Sequence, residues 1–177
     1  PNPWLLVKKN GYWGVWQRGQ GILIQPQYDD IAWAGKAGYF RVKPKNAVYW
    51  ALINEQNRLL LPANYKDIVA AHTNCILVRD PVNDMWGAVD ANGNPLFAFD
   101  YRSARPINRH FVWLIGSDQK PALWNIARRE WVDLANGAGK FGPLDENYMV
   151  CSRFFRRGVM DSTGTIVVAS KYDSIAL

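Results

Sequence analysis

The 177 residues carry 21 Lys and Arg against 15 Asp and Glu, a net charge of +6, with 49% hydrophobic and 20% charged residues. A domain usually takes roughly 100–200 residues, so this length suits one, and the balance supports a packed core, which excludes disordered, collagenous and coiled-coil chains. The longest apolar run, Ala47 to Ile53, has seven residues, far short of the ~18 that a spanning helix needs.

The chain opens at Pro1 without Met or a charged-then-apolar leader, which predicts a processed or truncated chain. A first strand follows, with Leu5 and Val7 alternating along it, and then the stretch Tyr12 to Gln17, read as YWGVWQ. A third strand, Gly21 to Pro26, leads into Tyr28-Asp-Asp-Ile31. Proline removes a ladder donor, so Pro26 and later Pro62 mark where pairing stops. The same order recurs down the chain. Following the small residue of the second stretch gives Gly14, Ala51, Gly87, Ala122 and Gly158, separated by 37, 36, 35 and 36 residues. Tyr28, Tyr65, Tyr101 and Tyr172 keep that step with one member missing, as do Gln17, Asn54, Asp90, Asn125 and Asp161. A fixed period of this length marks a repeat architecture.

The first strand of each unit ends at Val7, Val42, Val78, Leu114 and Val150, with Leu5, Phe40, Ile76, Val112 and Tyr148 two places earlier. Alternation with period two predicts strands with one buried face. Asp90-Ala-Asn-Gly93 and Asp161-Ser-Thr-Gly164 read as turns opened by Asp and closed by Gly. No sustained helical stripe is present, and the chain is predicted to be all-β. The units run approximately over 4–35, 36–71, 72–107, 108–144 and 145–177 of a single domain. They are expected to be five three-stranded antiparallel repeats wound into a twisted solenoid, the alternative being a five-bladed propeller.

Trp13-Gly14-Val15, Trp86-Gly87-Ala88-Val89-Asp90 and Pro26-x-Tyr28-Asp29-x-Ile31 resemble tandem WG repeats. The resemblance covers nearly the whole chain. Unit four departs most, with Pro121-Ala-Leu-Trp-Asn in place of the Trp-Gly core and Trp131-Val-Asp-Leu in place of the Tyr-Asp ending. The resemblance implies a bacterial β-repeat interaction protein without a shared active site, and no particular ligand.

In a repeat array each unit buries its face against its neighbours, so structural residues recur once per period. Trp13, Gly14, Trp50, Ala51, Trp86, Gly87, Gly158 and the tyrosine column are accordingly assigned to the skeleton, and Trp16 and Trp124 share an apolar column. That leaves Trp4, Trp33, Trp113 and Trp131. Trp33, in the link after unit one, and Trp113 are the candidate surface anchors, because exposed aromatics on a rigid scaffold dominate interfaces. Lys8, Lys43 and Arg79 share one column that continues with Ile115 and Cys151, and their stacking would form a cationic ladder suited to an acidic partner. Arg102, Arg105 and Arg109 with His110 form a second basic group, and Arg153, Arg156 and Arg157 a third.

Catalytic chemistry is sparse. His72 and His110 are the two histidines, and His72-Thr-Asn-Cys75 has neither the spacing nor the number of ligands for zinc. No phosphate loop or serine elbow occurs, and the glycine-rich stretch Gly137 to Gly142 is read as a loop. Cys75 and Cys151 fall in non-adjacent units, so both thiols are expected free, which favours a reducing compartment; an envelope or secreted location stays open. The expected function is a non-enzymatic protein-protein interaction module without cofactor or metal. Its partner would be another protein, of acidic character if the ladder is read directly, and the alternative is a glycan or cell-envelope binding repeat. A nucleic-acid partner is not expected, since no recognisable module accompanies the basic groups.

Overall fold

The computed structural model describes residues 3–134, 138–145, 147–153 and 155–176, with the side chains of 138–140 and 153 outside that set. Strands follow one another with no helix among the described residues, and no helix is long and apolar enough to cross a membrane. Contacts divide the chain into two compact units, Pro1–Phe99 and Asp100–Leu177.

The first unit begins with β1 (Trp4–Lys9), β2 (Tyr12–Gln17) and β3 (Gly21–Tyr28), an antiparallel sheet in that order. Asn10 and Gly11 join β1 to β2 with φ of 51° and 88°; two positive values in a two-residue loop match the twist of the flanking strands. The second sheet has four strands, β4 (Asp30–Trp33), β5 (Tyr39–Lys43), β6 (Trp50–Asn54) and β7 (Leu59–Tyr65). The third opens with β8 (Asp67–His72), β9 (Cys75–Arg79) and β10 (Trp86–Val89) beside the start of β11 (Pro95–Pro106). In the second unit β11 pairs with β12 (Phe111–Gly116), followed by β13 (Pro121–Asn125) and the two-residue β14 (Glu130–Trp131). The last sheet is β15 (Ala138–Pro143), β16 (Tyr148–Arg153), β17 (Arg156–Asp161) and β18 (Ile166–Tyr172).

This corrects the three-stranded unit. The Tyr-Asp-x-Ile segment does not end its own sheet; it crosses at Asp29 or Lys66 and becomes the first strand of the next. Ile31 pairs with Val42 and Ile68 with Val78, and both isoleucines are buried. The crossing is pinned by backbone bonds from Asp29 N to Lys43 O and from Lys66 N to Arg79 O, each 2.9 Å. The glycine-rich loop also needs correction: Gly137 lies outside the described residues, and Ala138–Pro143 is a strand.

Sheets of the first unit stack face to face: β6 and β9 are buried on both faces, whereas β5 keeps the expected alternation, with Phe40 and Val42 buried between half-buried neighbours. Along β6, Ala51 and Ile53 pack with Val15 and Ile24 of the first sheet, whereas Trp50 and Leu52 join Ile68, Ile76 and Val78 of the third. Both faces are apolar because both are covered. In the second unit, Phe111 and Leu123 meet Phe141, Met149, Cys151 and Met160. Fully burying such a side chain contributes roughly 1.5–3 kcal/mol, so these alternating columns, repeated at each sheet, dominate the stability of each unit.

Register explains the small-residue column. Gly14, Ala51, Gly87, Ala122 and Gly158 lie opposite Val7, Val42, Val78, Leu114 and Cys151. In repeat five the buried first-strand residues are therefore Met149 and Cys151, one place later than the spacing assigns. The reason is hairpin length: Arg153 pairs with Arg156 across a two-residue loop, so counting from the previous repeat slips by one. On the other side of the column, pairing jumps from Trp13↔Tyr28 to Val15↔Ile24 and from Arg157↔Tyr172 to Val159↔Val168. The third strand thus carries a bulge that presses onto the small residue. A Cβ on Gly14 would lie 2.7 Å from Pro26 N and 2.9 Å from the Gln25 carbonyl carbon.

The polar column forms turns. Asp90 Oδ1 accepts from Asn92 N at 2.8 Å and Asn94 N at 2.9 Å, and Asp161 Oδ1 accepts from Thr163 N and Thr165 N at 2.9 and 3.0 Å. These bonds stabilise the carboxylate, and the Asp161 carboxyl is held below its ordinary value, first by the Thr163 hydroxyl.

Candidate interaction surface

Each cation of the expected ladder lies over an indole. Cross-strand pairing places Lys8 opposite Trp13 and Arg79 opposite Trp86. The Lys8 ammonium is 5.2 Å from the Trp13 ring centre, Lys43 is 4.9 Å from Trp50, and Arg79 is 6.0 Å from Trp86. Arg41 covers Trp50 as well, at 5.1 Å, and forms an ion pair with Asp67. Arg79 also holds Asp84 at 2.7 Å, and Lys66 pairs with the same carboxylate. The Lys66 hydrogen bond and then the Arg79 charge keep the Asp84 carboxyl below its ordinary value. Each cation–π contact is worth about 0.5–1 kcal/mol at an exposed site, so each of these cations has an aromatic partner within its own sheet.

The second basic group disperses. Arg105 stacks 5.0 Å from the Trp113 ring and donates from Nη2 to Phe141 O at 2.9 Å. Arg109 donates to Asn147 Oδ1 at 2.8 Å and to His110 Nε2 at 3.0 Å, while Arg102 is exposed on β11. Of the third group, Arg156 pairs with Asp173. Arg157 borders a hollow of about 440 Å³ with Val150 and Ile175, and the Arg153 side chain lies outside the described residues.

The four tryptophans left over by the repeat separate clearly. Trp113 is half-buried against Phe111 and Leu123 with Arg105 over its ring, and its indole nitrogen is buried without a hydrogen bond among the described residues. Trp4 packs on the first core, 6.2 Å from Phe40. Trp33 stays 39% exposed; its ring is braced 5.2 Å from the buried Phe40 and 6.3 Å from Trp4. Trp131 is 44% exposed and stands in an aromatic group with Tyr101 at 5.6 Å and Trp124 at 4.8 Å. Tyr101 belongs to the skeletal column by spacing, so its part in a surface group escapes sequence reasoning. The signal that points there is the broken ending of repeat four.

The cysteines are free and buried. His72 and Cys75 are cross-strand partners, yet burial pushes the Cys75 thiol up to about 12. A thiol held protonated in this way is a poor nucleophile. Among the described residues no group of three His, Cys, Asp or Glu could hold a metal ion.

No family model and no curated protein matches this chain. Among solved structures it is similar to the computationally designed protein Ika8, with a TM-score of 0.45 and 13% identity over 98% of this chain and 61% of that one. It is also similar to the WD40 β-propeller domain of Doa1, at 0.40 and 10% over 94% and 64%, and to Kluyveromyces lactis Hsv2, at 0.38 and 9% over 91% and 71%. The chain thus spans about three fifths of the length of the first two. At such scores no residue role carries across.

Proposed function

We propose that this chain is a WG-type repeat module that binds another protein and performs no catalysis of its own. The observation that carries this reading is Trp33, a large ring held at the surface of a rigid sheet by Phe40 and Trp4. Its conformational freedom is already restricted before a partner arrives, which is the property of an interface anchor. Lys8, Lys43 and Arg79, each held over an indole, suit a partner that brings carboxylates to them.

The test is affinity capture of a partner followed by titration of Trp33→Ala, with near-UV circular dichroism to show an intact fold. Loss of an anchor should weaken binding by ~30-fold or more. Unchanged affinity removes Trp33 from the interface. Saturable binding to a soluble glycan panel, with no protein captured, would replace the reading with a glycan-binding one.

A further inference from the structure

The place where repeat four breaks its pattern is also where the second unit opens. β14 pairs with β13 only at Trp131↔Trp124 and Glu130↔Asn125, and one further bond, Val132 N to Leu123 O at 2.9 Å, holds the departing chain. Alongside Pro121 to Leu123, where other repeats carry a full third strand, lies a hollow of about 410 Å³. Tyr101 and Trp131 wall it, Leu123 contributes apolar surface, and Asp133 lines it from an exposed position.

Three features of the hollow select its ligand. The rings are fixed by one another: Trp131 meets Tyr101 at 35° and Trp124 edge-on at 69°, while nearly half its surface faces solvent. Among the described residues from Asp118 to Asp133, Asp133 and Arg129 are the charges outside any ion pair. Asp118 pairs with Lys120 at 3.0 Å and Glu130 with Arg128 at 3.3 Å; Asp100 Oδ1 meets the Ser117 hydroxyl at 3.3 Å. Asp133 has no ion pair among the described residues. Tyr101 senses the same negative surroundings: burial first, then Asp100 and Asp118, push its hydroxyl up. Finally, some aromatic faces in this chain take cations, as Trp13, Trp50 and Trp113 do from Lys8, Lys43 and Arg105.

We propose that this hollow binds an arginine side chain of a partner protein, its guanidinium plane against Trp131 and Tyr101 and its N–H groups donating to Asp133. Arginine suits the site better than a sugar because the Asp133 carboxylate and the ring faces both attract a planar cation. The proposal rests on the reading of the chain as a protein-binding module, and it adds the chemistry that one of its surfaces recognises.

The full chain is titrated with acetyl-Gly-Arg-Gly-amide while the Trp131 indole signal is followed by NMR. The controls are the same peptide with citrulline, chitotriose and cellotriose. Saturable shifts at Trp131 are expected, about tenfold weaker with the uncharged citrulline and weaker still at high salt. Asp133→Asn should reduce the affinity several-fold, and because it adds no bulk it tests the site even if Trp131→Ala fails to fold. Equal binding of the citrulline peptide, a response to an oligosaccharide instead, or no saturable response overturns the proposal. Retained partner capture with no arginine binding refutes the hollow alone; loss of capture in Trp33→Ala with arginine binding intact bears on the other surface.

Discussion

Gly14→Ala tests why the repeat needs a small residue. An added Cβ would stand 2.7 Å from Pro26 N, 2.9 Å from the Gln25 carbonyl carbon and closer still to the Ile24 carbonyl oxygen, where ordinary contact begins at 3.4 Å. All three atoms are backbone in the bulge of β3, so no side-chain rotation can relieve the contact. The strand must move by roughly half an ångström or more, and overpacking of this kind costs about 1–3 kcal/mol. With a urea m-value of ~1–3 kcal/mol/M, the midpoint should fall by roughly 1 M. Gly142→Ala is the control, because its Cβ meets nothing within 4 Å and its φ is not in the left-handed region; it should leave the midpoint nearly unchanged. Urea unfolding followed by tryptophan fluorescence measures both. If the two variants shift the midpoint equally, the pressure of the bulge is not what selects the small residue.

Two further outcomes are expected. The Cys75 thiol should resist iodoacetamide at pH 8 in the folded protein and react in denaturant; its folded value of about 12 lies above the ordinary 9.0, so its contribution to stability is complete below pH 9 and lost as pH rises toward 12. Cys75→Ala should therefore flatten the alkaline fall in stability by up to about 1.4 kcal/mol per pH unit, and an unchanged slope contradicts the desolvated thiol. Lys8→Gln should cost about 0.5–1 kcal/mol in urea unfolding, and Lys43→Gln less, because Arg41 still covers Trp50; the reverse order would show that the ring contacts do not stabilise.

The skeleton is legible in the sequence because stacking demands the same side chain at each period. Gly14, Gly87 and Gly158 meet the third strand, and Asp90 and Asp161 close turns, whatever the links do. The phase of the period is not legible, since Tyr28-Asp-Asp-Ile31 looks the same whether it ends one sheet or begins another; only pairing of Ile31 with Val42 decides it. The slip in repeat five has the same origin, a two-residue hairpin that no residue type announces. Of the candidate site, Trp33 was visible as an aromatic outside every column. The Trp113 environment was not, because Arg105 reaches it from the neighbouring strand, where it stands opposite Trp113. The hollow is invisible to periodicity for a physical reason: its rings come from repeats three and four, at Tyr101 and Trp131, and meet only once β14 stops short.

The crossing at Asp29 and Lys66 also fixes where the chain can be cut. A boundary at 35/36, natural to the sequence period, would sever β4 from β5, and one at 71/72 would cut β8 before its last residue and part it from β9, leaving a bare edge on each fragment. Residues 30–65 instead enclose a whole four-stranded sheet, β4 to β7. Grafting, deleting or duplicating a repeat should follow those limits, since an exposed strand edge invites pairing with another molecule.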